Sequence, residues 1–204
     1  NSVEDLCRLK DQGAVGIRLN MKTHALYEDP FSLWNKIDEL DMVVSMMGNV
    51  DEFGSQQFID LVKRYHRVSI IIEHLAGGGE SAGFPLNGKG PSSGFEKFHS
   101  AMSTSSFGNV YLKIPGLAEI SNRPAALNEV YDTAFYDDLP PLFEIAKSYF
   151  GVERMMWGSD YPPVSGREGY MNALLGTKNH PTFQNDGELE YILSKTARKV
   201  FDFD

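Results

Sequence analysis

Gly151-Val152-Glu153-Arg154-Met155-Met156-Trp157-Gly158-Ser159-Asp160-Tyr161-Pro162-Pro163 decides the fold. The apolar core, Met155 to Gly158, is too short for a helix and has the length and composition of a buried strand. Tyr161-Pro162-Pro163 cannot continue a regular strand or helix, so the strand stops at Ser159-Asp160. A carboxylate therefore stands where a strand opens into a loop. The spacing predicts that Asp160 points into the mouth of a site, partly desolvated by Trp157 and Tyr161. There it could activate water or hold a metal; a cap on the next turn is the plain structural alternative.

Four similar runs precede it: Ala14 to Leu19, Met42 to Met46, Val68 to Ile72 and Val110 to Ile114. Helical patterns lie between and around them, at Val3 to Lys10, Phe31 to Leu40, Phe58 to Tyr65, Gly94 to Met102, Leu142 to Phe150 and Leu189 to Phe201. Helix then strand, repeated, is the rhythm of a parallel α/β fold. An open doubly wound sheet and a (β/α)8 TIM barrel both fit it. Polar residues end almost every strand, namely Arg18 and Asn20, Ser45, Glu73 and His74, Lys113, then Ser159 and Asp160. A ring of such ends facing one mouth is how barrels build sites. The doubly wound alternative calls for a glycine-rich phosphate turn after the first strand; Gly77-Gly78-Gly79 lacks that spacing and reads as a flexible loop. Gly77 to Gly94 and Ser165 to Gln184 read as long loops, Gly-rich or polar, that would shape specificity in a barrel. The expectation is a single domain over residues 1–204 that supplies about the last five βα units of a barrel, with three units not in the sequence. The open edge is then expected to be covered by a missing segment or by a second copy in a homo-oligomer.

The 204 residues are 42% apolar, with 19 basic and 28 acidic side chains and a net charge of -9. That balance argues against a general nucleic-acid binder while leaving room for a small anionic substrate. No run reaches the length of a membrane span, the first residues show neither a signal peptide nor an initiating Met, and Cys7 is the sole cysteine. Cytoplasmic residence and no membrane partner are the default expectations.

Among the strand ends, His74 could polarise a carbonyl or bind a metal, the alternative being a satisfied core histidine. Alternation sends Glu73 to the opposite side of the strand, making it the weaker candidate. Lys113 sits in an apolar run and needs a partner or an anionic ligand, and Arg18 reads either as a fork for a substrate carboxylate or as half of a buried ion pair. His24, His66, His99 and His180 read as surface residues. No His-x-x-x-His, Cys-x-x-Cys or Gly-x-Ser-x-Gly motif is present.

Taken in order, Gly13 to Leu19, Ile71-Ile72-Glu73-His74-Leu75-Ala76, Asn109 to Leu117, Gly151 to Pro162 and Ile192 to Phe201 resemble the amidohydrolase-related family of TIM-barrel hydrolases. That family includes decarboxylases, hydratases and sugar or pyrone-dicarboxylate lactonases. The resemblance implies that Asp160 activates the attacking water, that His74 belongs to the same site and that Arg18 binds a substrate anion. Lys113, Ser45 and Asn20, at neighbouring strand ends, are the further expected substrate contacts. Family members carry a His-x-His pair at the end of their first strand, which this sequence lacks. Metal-using members often add a histidine where Ser45-Met46-Met47 stands here. The missing His-x-His pair agrees with the three units not in the sequence, and the departure at Ser45-Met46-Met47 leans toward the lactonase-like branch, some of whose members work without metal. These departures leave two cofactor readings open: no metal, or a divalent ion such as zinc or manganese held by His74 and Asp160 with ligands missing from this chain. The functional expectation is a hydrolase of a small, anionic lactone. A metal-dependent decarboxylase or hydratase, and a non-catalytic barrel acting in binding or assembly, are the alternatives.

Overall fold

In the computed structural model, residues 3–23, 29–79, 93–120, 141–183 and 185–203 are described. The chain begins with α1 (Val3–Asp11), β1 (Gly16–Asn20), α2 (Ser32–Glu39), β2 (Val43–Met47), α3 (Val50–Phe53) and α4 (Gln56–Arg64). It continues through β3 (Ile70–Ile72), a short turn α5 (His74–Gly77), α6 (Ser93–Met102), β4 (Val110–Ile114), α7 (Leu142–Phe150) and β5 (Met155–Trp157). It closes with α8 (Tyr170–Lys178), α9 (Asp186–Glu190), a π turn at Tyr191–Lys195 and α10 (Thr196–Phe201).

The five strands among the described residues run parallel and pair strictly in chain order, β1-β2-β3-β4-β5. A doubly wound sheet reverses its strand order at a switch point, whereas sequential order is the arc of a barrel. The fold is therefore five βα units of a (β/α)8 barrel.

Alternation along the strands sorts their side chains into two layers. Val44, Met46, Ile70, Ile72, Val110, Leu112, Ile114 and Met155 face the helices and join the main core with Leu33, Trp34 and Ile37 of α2, Phe58 and Val62 of α4 and Phe143 of α7. On the second face Val43, Ile71, Tyr111 and Met156 form a smaller cluster, sealed by Val200 with Ala197 and Phe201 from α10. The apolar floor is thus closed by the last helix, and the same face turns polar toward the strand ends.

Local signals explain the helix starts. Ser55 accepts from Phe58 N–H at 3.2 Å to cap α4. Asn49 and Glu52 form a reciprocal capping box on α3. Buried Thr196 donates its hydroxyl to Val152 O at 3.3 Å, tying α10 to the turn before β5.

Three expectations need correction. The stretch from Ser165 onward is not a bare loop, because α8 fills Tyr170–Lys178. Gly77 to Gly79 is a tight crossing rather than a flexible segment: Gly79 has φ +117°, and a Cβ there would lie 2.8 Å from Glu119 O and 2.9 Å from Ile120 Cα. The part of that loop over 80–92 lies outside the described residues, as does His24. His180 is buried, not on the surface; its ring packs edge-on to Phe143 at 4.6 Å and its Nδ1 accepts from Thr182 N–H at 3.2 Å. His66 and His99 are exposed, as expected.

Candidate active site

Two clusters of charge occupy the C-terminal ends of the strands. The first is centred on Glu73, 3% exposed, whose carboxylate accepts from Ser45 Oγ at 2.5 Å and Lys113 Nζ at 2.7 Å and pairs with Arg18. Arg18, Ser45 and Lys113 come from three different strands, β1, β2 and β4, so Glu73 ties together nearly the whole arc. Burial alone would raise the Glu73 pKa, but hydrogen bonds from Lys113 and Ser45 and the charges of Lys113 and Arg18 outweigh it and hold the carboxyl below its ordinary range. Two cations against one carboxylate leave the cluster one positive charge in excess. The Lys113 stem reaches this position by lying against Gly158 of the β5 end, where a Cβ would come within 2.9 Å of Lys113 Cδ.

Glu73 is thus the hub of the cluster, not the weaker candidate. The strand ends at Ile72, Glu73 keeps its place on the second face, and the chain then turns so sharply that His74 also stays at the mouth. That turn is left-handed: φ is +53° at His74, +48° at Leu75, +59° at Ala76 and +68° at Gly77. Each non-glycine residue so placed costs about 1 to 2 kcal/mol. The turn is held by burial of Leu75 and Ala76, both fully inaccessible, and by Ala76 N–H donating to Glu73 O at 3.0 Å.

The second cluster is centred on Asp160, itself at φ +58°. Its Oδ2 accepts from Arg167 Nη2 at 2.9 Å, and its Oδ1 lies 3.5 Å from His74 Nε2. Arg167 also pairs with Glu119 from the loop after β4, and its Nε stands 3.9 Å from Glu168 Oε2. Burial would lower the Arg167 pKa, but the hydrogen bond and charge of Glu119, followed by Asp160 and Glu168, raise it above the ordinary arginine value. Trp157 does not desolvate Asp160: alternation carries it to the helix layer, edge-on to Tyr170 at 5.4 Å, and Tyr161 is 71% exposed. Arg167 and His74 surround the carboxylate instead.

Arg18, Ser45 and Lys113 converge as the strand ends suggested, and His74 meets Asp160. Asn20 does not join them. Its Oδ1 accepts from Lys22 N–H at 2.9 Å within the turn after β1, beside a cavity of about 560 Å³ lined by Met21, Phe31, Trp34 and Arg64. Arg167, Glu119 and Glu168 lie in loops that carry no periodic signal, and sequence reading passes over them. Among the described residues no three His, Cys, Asp or Glu side chains converge as a metal site. His74 and Asp160 offer two donors, one already engaged by Arg167, and so do not by themselves fit a metal ion.

The family model for amidohydrolases matches residues 2–203. The chain belongs to the amidohydrolase family. Solved structures share its fold at low identity. An amidohydrolase from Burkholderia multivorans with bound HEPES superposes at a TM-score of 0.73, with 14% identity over 98% of this chain and 70% of its own. A protein from Acinetobacter baumannii named as a probable 2-pyrone-4,6-dicarboxylic acid hydrolase, with citric acid bound, gives 0.67 and 19% identity over 100% of this chain and 70% of its own. A 5-carboxyvanillate decarboxylase from Sphingomonas paucimobilis gives 0.56 and 13% identity over 99% of this chain and 63% of its own. No curated protein sequence matches the chain. Membership of this family supports an enzyme of hydrolase type, and no described helix is long and apolar enough to cross a membrane.

Proposed function

We propose that this amidohydrolase hydrolyses a lactone or related ester-like bond in a small anionic substrate. The observation that carries the reading is the Asp160 carboxylate, with Oδ2 held by Arg167 and Oδ1 3.5 Å from His74 Nε2, on the same strand-end rim as the cationic Glu73 cluster. Asp160 Oδ1 takes a proton from water, and the water oxygen attacks the carbonyl carbon. His74 assists at the carbonyl oxygen. As the ring C–O bond breaks, the proton passes from Asp160 to the leaving oxygen. Arg18 and Lys113, with one positive charge in excess over Glu73, bind the substrate carboxylate. The Acinetobacter protein of the same fold was solved with citric acid bound, which is in keeping with an anionic ligand class.

The test is turnover of a lactone panel, with 2-pyrone-4,6-dicarboxylate as the first probe, by the protein and its Asp160→Asn variant. The expected result is a loss of roughly 10²- to 10⁴-fold in kcat, the range of a general base, with the circular dichroism spectrum unchanged. Undiminished turnover by the variant overturns the role of Asp160. Carbon dioxide release instead of ring opening assigns the site to decarboxylation.

A further inference from the structure

Asp160 is the end of a chain of contacts that starts in another loop. Arg167 pairs with Glu119, which follows β4, and with Asp160, which follows β5, so one guanidinium staples two βα loops. Beneath it Glu168 is fully buried; Oε1 accepts from Ala118 N–H at 3.1 Å, while Oε2 has no hydrogen-bond partner among the described residues and faces the equally unpartnered Arg167 Nε at 3.9 Å. The Arg167 side chain is 25% exposed and surrounded by three carboxylates. That crowding fixes the fork, because each carboxylate draws on a different part of one planar group. A carboxylate can rotate to present either oxygen. With Oδ2 bound to Nη2, only Oδ1 is left to face His74.

We propose that Arg167 is the positioning residue of Asp160: it selects the oxygen that faces His74, and Glu119 with buried Glu168 aims it. The catalytic meaning of this device rests on the reading of Asp160 as the base, but the positioning itself is measurable without turnover.

The experiment is nitrogen-15 NMR of the His74 ring in the protein and in its Asp160→Asn, Arg167→Ala, Arg167→Lys and Glu119→Gln variants. In Arg167→Ala the His74 ring-nitrogen resonances are expected to move most of the way to their Asp160→Asn positions. Glu119→Gln moves them the same way by less, and Arg167→Lys, which keeps the charge, by less than Ala. Should Arg167→Ala not fold, the Lys and Gln variants carry the measurement. Resonances unmoved by every Arg167 and Glu119 variant that folds overturn the proposal, as does an Asp160→Asn variant that leaves His74 unchanged. In the lactone assay Arg167→Ala is expected to lose roughly 10- to 100-fold in kcat with KM little changed, the scale at which misoriented catalytic groups act. A loss confined to KM places Arg167 on the substrate and overturns the positioning role. Full turnover by Asp160→Asn, with the NMR shifts as expected, removes the base and leaves the positioning intact.

Discussion

Glu73 is 3% exposed, yet it is surrounded by groups that want its negative charge: Ser45 at 2.5 Å, Lys113 at 2.7 Å and Arg18. Deleting one partner of a buried pair leaves the other uncompensated, at about 3 to 5 kcal/mol when both are fully enclosed. The Lys113 and Arg18 side chains are 25% and 50% exposed and can regain water, so the expected cost of Glu73→Ala is smaller, about 1 to 3 kcal/mol. Denaturant unfolding of the variant measures it, and a change below about 0.5 kcal/mol would place the cluster outside the stability of the fold. Glu73→Ala also leaves Arg18 and Lys113 side by side without their shared carboxylate. Binding of small dicarboxylates should then tighten, while turnover falls because the cations lose their fixed positions. Titration calorimetry and the lactone assay separate the two effects.

The elements around the site depend on a few close approaches. Gly79 crosses the 116–120 segment at φ +117°, where a Cβ would sit 2.8 Å from Glu119 O. Gly79→Ala combines a forbidden backbone angle with a backbone collision and is expected to cost about 2 to 4 kcal/mol, read as a lowered unfolding midpoint. Because Glu119 is the outer anchor of Arg167, the same variant should lose activity out of proportion to its stability. The strands were legible because each is a short apolar run; Val110–Ile114 and the helix Leu142–Phe150 match their sequence patterns end to end. α8 was not legible because its buried side is Asn172, Ala173, Gly176 and Thr177, small and polar residues that leave no apolar stripe to read. The strand-end rule puts Arg18, Ser45, Lys113, His74 and Asp160 at the rim where the structure has them, since alternation and a chain stop are local. It demoted Glu73 because a left-handed turn after Glu73 breaks the alternation that would have sent His74 and Glu73 to opposite sides. It missed Arg167 and Glu119 because their pairing spans 48 residues and two loops.

Across the whole molecule two titrations act in the same direction on stability. His180 is held below the ordinary imidazole pKa, chiefly by burial, with the charge of Glu144 opposing. The unfolded chain therefore takes up that proton first, and stability falls as pH drops below about 6.5. Glu73 is also depressed, so its contribution is whole above the carboxylate range and is lost as pH falls through its folded value. Thermal melting should show two successive declines on acidification. His180→Phe should remove the upper one and Glu73→Gln the lower, and a melting temperature flat from pH 7 to 5 would contradict the first. The helix that seals the floor has a consequence for biosynthesis. Val200 and Phe201 cover Val43, Ile71, Tyr111 and Met156, and they leave the ribosome after every strand they cover. A nascent chain that already carries all five strands still shows a bare apolar patch on its inner face, the kind of surface that chaperones hold. The timing of release, as much as the sequence of the strands, then governs how much of this protein escapes aggregation.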